Sequence, residues 1–243
     1  MPSLDELVTI AEAAAFIFSG SITRTGTSTL SAVPVDANTV VVSVDEVIKV
    51  PAGLRNFAGS EVTVQLRHPL PAGHYVFFAE PMAVGEGIAV RELAHLEGRE
   101  RADAVAAVER AYAARMAPRL QAAVLVALGT EGEIRPLLPP AERRGQVPWA
   151  LARFEIERVL KGNGRLRHVT LVGPVPASKR LPRAPALRAG LHAILILQRP
   201  PEEAIEHIPE DERKGALFIA ETVDIQPSER FEALAQIIAT ENE

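Results

Sequence analysis

The feature that most constrains this chain is a phrase it writes twice. VDEVIKV at 44–50 returns as IERVLKG at 156–162: an aliphatic residue, two charged residues, Val, then Ile or Leu, then Lys. Each copy lies in an alternating run, with Val40, Val42 and Val44 on one side of the first, which is the period of a strand. The charged pairs Asp45-Glu46 and Glu157-Arg158 break the strict alternation, as expected of a bulge where a long strand bends.

The text around the two copies also matches in order. In the first half, SLDELVTIAEAA opens with Ser3 and Glu6 at capping-box spacing and puts Leu4, Leu7, Val8 and Ala11 on one helical face. AFIFSGSITR, TVVVSVDEVIKV, SEVTVQL and HYVFFAEP follow as strands, the last closed by Pro81, and GIAVREL is a short fifth. In the second half, RADAVAAVERAYAARM has Val105, Val108, Tyr112 and Met116 at helical spacing and is expected to stop before Pro118. AAVLVALGTEGEI repeats the first strand, with Gly129-Thr130 where Gly20-Ser21 stood. ALARFEIERVLKG, RHVTLVG, LHAILILQRP and ALFIAETVDI supply the next four strands. SERFEALAQIIA, with Phe231, Leu234, Ala235 and Ile238 on one face, is a final helix. The repeating unit is therefore a helix and five strands, and the phrase recurs because the unit recurs.

Five short strands with an extra-long second one suggest an OB-type barrel. The fold expected is mainly β with accessory helices: two tandem five-stranded OB-like barrels from an internal duplication, each preceded by a helix, plus a C-terminal helix. The domains expected are 1–97 and 98–243, with the boundary near 95–101, and a chain of 243 residues has room for both. The pattern resembles the netrin-like barrel of the tissue-inhibitor-of-metalloproteinase kind. There, a first strand ending in Gly-Thr/Ser, as at Gly20-Ser21 and Gly129-Thr130, precedes a strand of the EVLKG type, here DEVIKV and ERVLKG. The resemblance spans nearly all of both halves and implies the fold alone. Inhibitors of that family use an N-terminal Cys and disulfides, and this chain has no Cys, so no inhibitory residue carries over.

The absence of Cys also excludes thiolate metal sites and fits a reducing compartment. Among the six His no HExxH and no close His pair occurs. Glu92 and His95 have the Glu-x-x-His spacing of carboxylate-bridged metal sites, which need a four-helix bundle. His74 and His192 begin the matched fourth strands and read as barrel-rim residues. KGNGRL and GEGIAV lead into strands and offer no helix N-terminus to a phosphate, and Asn163-Gly164 is a hairpin turn. No G-x-S-x-G elbow is written. The expectation is a chain that is not an enzyme and takes no cofactor or metal. The apolar runs AAAFIF and AILIL fall far short of the ~20 residues of a membrane helix. The first twenty residues carry Asp5, Glu6 and Glu12 and no Lys or Arg, unlike a signal peptide. A cytoplasmic location with no membrane partner is expected.

Charge layout is the one functional signal. Eleven Lys or Arg face two acids between Arg143 and Gly190, whereas Pro201 to the end carries twelve acids and three bases. Three arrangements would account for this. The acidic region neutralises the basic one within the chain, or a basic face docks on an acidic face of a neighbour, or the basic loops bind nucleic acid or another polyanion. OB barrels meet ligands on strands two and three and on the loops beside them. That region carries Arg143, Arg144, Trp149, Arg165, Arg167 and His168, with Lys179, Arg180 and Arg183 in the next loop. Trp149 is the obvious stacking candidate, and a Trp after Val-Pro at a strand start fits a core place as well. The leading expectation is a structural or protein-binding module that works by protein–protein contact or self-association. A polyanion or single-stranded nucleic-acid binder on the same residues comes second, and an enzyme third.

Overall fold

The computed structural model describes residues 2–51, 54, 56–84, 87–137, 149–174 and 184–241, and it divides into two compact units, Met1–Tyr112 and Ala113–Glu243. The division falls inside a helix, downstream of the stretch 95–101 where the sequence suggested a boundary.

Unit 1 begins with α1 (Leu4–Ala13). The Ser3 hydroxyl accepts the Glu6 N–H, and the Glu6 carboxylate accepts the Ser3 N–H at 2.7 Å, the reciprocal cap its spacing predicts. Ser3→Ala is expected to cost about 1 kcal/mol, read from a denaturant melt. The strands β1 (Phe16–Thr25), β2 (Thr39–Lys49), β3 (Glu61–Gln65), β4 (His74–Val84) and β5 (Ile88–Glu97) close into a barrel in the order β1-β2-β3-β5-β4. Only β3 and β5 pair parallel. That order is consistent with an OB-like fold. Phe16, Phe18, Val40, Val42, Val44, Val64 and Phe77 fill the barrel. Their strand neighbours Ile17, Val76 and Phe78 point the other way, into a second apolar layer with Leu7 and Ala11 of α1 and Ala104, Ala107 and Ala111 of the next helix. Burial on both faces is why FIF and YVFFA read as continuous apolar runs.

Two strand ends differ from expectation. β4 runs through Pro81, which stands opposite Val90 beside a register shift, a place where a ladder tolerates a residue without an N–H. β5 is not short. It extends to Glu97 because it serves two ladders, β3 on one side and β4 on the other.

The helix α2 (Arg101–Ala122) continues through Pro118 instead of stopping before it. Ala114 and Pro118 are exposed, so the carbonyl that loses its partner faces water. The turn beyond is anchored in unit 2: Leu120 is buried, Arg119 binds two carboxylates and Lys161 donates to the Leu120 and Gln121 carbonyls. These anchors outweigh the roughly 3 kcal/mol that a proline costs a helix interior.

Unit 2 continues with β6 (Leu125–Pro136), β7 (Trp149–Lys161), β8 (His168–Pro174), β9 (His192–Leu197), β10 (Ala216–Phe218) and β11 (Ile225–Gln226). They form a six-stranded sheet in the order β10-β8-β7-β6-β9-β11, which is not a closed barrel. The expected fifth strand, ALFIAETVDI, is two pieces. β10 pairs parallel with β8 and β11 pairs antiparallel with β9. Between them a 3-10 turn, Thr222–Asp224, is fixed by the Asp224 carboxylate accepting the Glu221 N–H. One isolated bridge spans the gap: Gln198 and Phe218 exchange N–H···O bonds of 3.0 and 2.9 Å.

Two short helices absent from the sequence reading, α3 (Glu202–Ile205) and α4 (Glu210–Arg213), come between β9 and β10. Ala204 of α3 and Ile208, between the two helices, join Trp149, Leu151, Val172, Ala216 and Phe218 in an apolar cluster on the outer side of β7 and β8. The last helix, α5 (Phe231–Glu241), buries Phe231 and Leu234, and the Arg158 guanidinium lies 3.6 Å from the centre of the Phe231 ring.

The strand ladders of the two units slip at matching places. Ser19 faces Glu46 and Gly20 faces Val44, so Asp45 is the extra residue. Leu128 faces Arg158 and Gly129 faces Ile156, so Glu157 is the extra residue. These are the bulges that the charged pairs announced. The repeated Lys also has the same task in each unit. Lys49 donates to the Ala11 carbonyl and Lys161 to the Leu120 carbonyl, both at 2.6 Å, which satisfies a carbonyl at a helix end.

Candidate interaction surface

The strand period decides what β7 and β8 offer to a partner. Ala150, Ala152, Phe154, Ile156, Val169 and Leu171 point into the core of unit 2. Trp149, Leu151, Arg153 and Glu155 of β7, with His168, Thr170 and Val172 of β8, take the outer side. This outer side has a covered end and an open end.

At the covered end Trp149 is only 1% exposed. It packs edge-on against Phe218 at 6.1 Å, in the cluster with Ala204 and Ile208. Its indole N–H has no hydrogen-bond partner among the described residues. Trp149 thus takes a core place and presents no face to a ligand. Every other aromatic side chain of the protein is buried too: all eight Phe and both Tyr.

At the open end Arg153 pairs with Glu155 and its guanidinium reaches His168 Nδ1 at 3.2 Å. The β7–β8 turn then carries Arg165 and Arg167. Gly162 supplies a φ of +106° as the strand ends, and the Asn163 side chain accepts the Arg165 N–H at 3.0 Å. Both arginines are exposed, and neither meets a carboxylate among the described residues. Of the residues named from the sequence, the structure therefore brings Arg165, Arg167 and His168 to one end of the sheet and buries Trp149 at the other. Arg143, Arg144, Lys179, Arg180 and Arg183 lie outside the described residues.

The acidic C-terminal region spends several of its charges elsewhere. Arg119 holds Glu221 at 2.6 Å and Asp224 at 2.8 Å, Arg158 holds Glu232 at 3.2 Å, and Arg135 pairs with Glu212. Only Arg158 among these belongs to the basic stretch. Glu202, Glu203 and Glu206 of the α3 region are exposed and meet no cation among the described residues.

The matching face of unit 1 is closed by its own β1–β2 connection. Thr39, Val41 and Thr63 are 0% exposed, and the Thr63 hydroxyl accepts the Thr29 N–H at 2.9 Å. Asp36 fastens the end of this connection. Hydrogen bonds from the Gln65 side chain, the Asn38 N–H and the Thr39 hydroxyl hold its carboxyl below the ordinary value.

Three of the six histidines settle into carboxylate pairs. His74 meets Asp45 at 3.0 Å and His192 meets Glu157 at 3.2 Å, the same arrangement at the bulge of each unit. His74 also lines a shallow cleft of about 370 Å³ with Gly73, Tyr75, Glu97, Gly98 and Arg99. Glu92 and His95 do come together, at 2.6 Å, because a register shift near Glu92 turns two strand residues toward each other. Glu92 is buried, and its other oxygen accepts the Arg67 N–H at 2.9 Å. Among the described residues no three His, Asp or Glu side chains are placed to hold a metal ion, and no helix is long and apolar enough to cross a membrane.

Two buried acids escaped the sequence reading, Glu131 and Asp224. In the text each looks like one more surface carboxylate. Glu131 had a usable signal: it occupies the place that Ile22, an apolar core residue, holds in the matching strand. No protein-family model matches the chain, and no curated protein matches it.

Proposed function

We propose that this chain is a protein-binding structural module that docks an acidic protein surface, a second copy of itself included, on the open end of unit 2. The observation that carries the reading is the pair Arg165 and Arg167, exposed and without a carboxylate partner among the described residues, while Glu212, Glu221, Asp224 and Glu232 engage Arg135, Arg119 and Arg158. Two exposed guanidiniums on a hydrogen-bonded turn are suited to forked hydrogen bonds with carboxylates. Exposed acids on α3 give a second copy something to offer. We further read the two units as OB-like relatives by duplication, with the netrin-like resemblance kept at the level of the fold. The matching bulges at Asp45 and Glu157, the Lys-to-carbonyl bonds and the His–carboxylate pairs support that reading.

The second reading, a binder of single-stranded nucleic acid or another polyanion, uses the same arginines. It lacks a stacking surface, since every aromatic ring is buried and each stacked base is worth about 1–3 kcal/mol.

Arg165→Glu with Arg167→Glu separates the readings. Solution mass is measured by light scattering after gel filtration at low and high salt, with absorbance at two wavelengths. The expected wild-type mass at low salt exceeds 26.2 kDa and falls with salt. The double variant is expected to run as a monomer at both salts with an unchanged melt. A nucleic-acid absorbance that salt strips away would promote the second reading. A wild-type monomer at both salts would sink the self-association form.

A further inference from the structure

Glu131 is 1% exposed, on β6 where the matching strand of unit 1 carries Ile22. In both units this residue's N–H donates to the turn before the next strand of the sheet: Ile22 to the Gly73 carbonyl at 3.0 Å, Glu131 to the Leu191 carbonyl at 2.9 Å. An apolar side chain therefore suffices for the backbone tie. In unit 2 the acid adds to it. The Glu131 carbonyl accepts the Gly190 N–H at 2.7 Å, and its carboxylate Oε2 accepts the Arg188 N–H at 2.6 Å. One residue thus holds the turn Arg188–Leu191 by three hydrogen bonds. The other carboxylate oxygen, Oε1, is buried with no partner among the described residues.

The charges described around it do not supply one. Arg188 is exposed and contributes its backbone N–H and a distant charge. On β7, Arg153 and Glu155 are paired with each other, on β9 His192 is turned to Glu157, and on β6 itself Glu133 is exposed. A neutral carboxyl keeps the Arg188 bond and leaves only a weakly polar group dry. A carboxylate leaves half of a full charge dry, which costs far more.

We propose that Glu131 is a proton-operated latch: protonated, it seats the Arg188–Leu191 turn against β6, and ionised, it favours local opening that brings water to Oε1. The latch stands on its own geometry and does not depend on the proposed binding role. Burial, outweighing the Arg188 hydrogen bond and charge, pushes the Glu131 carboxyl up to about 7. Because this closed-state value lies above that of an open, solvated glutamate, the closed form is favoured in acid and loses that advantage as pH rises through about 7.

Hydrogen exchange read by mass spectrometry, corrected for the intrinsic pH dependence of amide exchange, tests this on peptides covering 129–135 and 184–191. Wild-type protection of the Arg188 and Gly190 amides is expected to fall on the order of tenfold between pH 5.5 and 8.5. In Glu131→Gln, which keeps an oxygen for the Arg188 N–H, protection is expected to hold nearly constant. Glu131→Ile, the residue type at the matching place, serves if the Gln variant does not fold. Equal pH dependence in wild type and variant overturns the latch, and so does a wild-type turn that tightens as pH rises.

Discussion

Gly129→Val is expected to unfold unit 2, and Gly20→Val to unfold unit 1. Both glycines sit in mid-strand at a ladder shift, where the neighbouring strand comes close. A Cβ on Gly20 would strike the Ser43 carbonyl oxygen and lie 2.7 Å from a Val42 methyl carbon; on Gly129 it would strike the Glu155 carbonyl oxygen and lie 2.9 Å from the Phe154 ring. The oxygens belong to backbone inside a ladder and cannot rotate away. Even Ala is expected to cost about 3 kcal/mol at either place, and the branched Val more. Circular dichroism and denaturant titration of the four single variants check this. An Ala variant with wild-type stability would show that the strands can part at the bulge without loss.

Arg119→Met is the second large effect, about 3–5 kcal/mol from unit 2. Asp224 is 0% exposed, with one oxygen 2.8 Å from Arg119 and the other accepting the Glu221 N–H at 2.9 Å. Burial pushes the Asp224 carboxyl above its ordinary value, and the Arg119 hydrogen bond opposes that. Without Arg119 the rise grows. A raised folded-state value means that stability is present in acid and lost as pH climbs, so the deficit is expected to be larger at pH 8 than at pH 5. Asp224→Asn in the Arg119→Met background should recover part of it. Denaturation at the two pH values is the measurement, and a loss below about 1 kcal/mol would mean that the carboxylate reaches water when its partner is gone.

The order of elements was legible because strands with a packed face keep a period of two, and because α1 and α5 carry clear apolar faces. Even the bulges were legible, since Asp45-Glu46 and Glu157-Arg158 interrupt that period where the ladders slip. Pro118 misled because a local rule met tertiary anchors at Arg119, Leu120 and Lys161 that no window of sequence displays. ALFIAETVDI reads as one strand, but its ETVD half is claimed by a turn that Asp224 caps and Arg119 grips from a distance. Helices of four residues, such as EEAI and EDER, are too short to show any period. Of the candidate surface, Arg165, Arg167 and His168 were legible as exposed charge beside a hairpin turn. The burial of Trp149 was not, because what covers it, Ala204 and Ile208, arrives from a segment whose helices were not foreseen.

The isolated bridge between Gln198 and Phe218 makes the two halves of the chain unequal as aggregation risks. The hoop of unit 1 offers no free strand edge, so a neighbouring chain has nothing to pair with until most of a ladder is lost. In unit 2 two backbone hydrogen bonds close the gap, together worth about 1–3 kcal/mol net. Parting them bares the rim of β10, ALF, and leaves only the two residues of β11 over the rim of β9, LHAILIL; both strands are apolar and rich in strand-forming residues. Heat or crowding should therefore drive this protein into cross-strand clumps from its second half, while the first half stays inert.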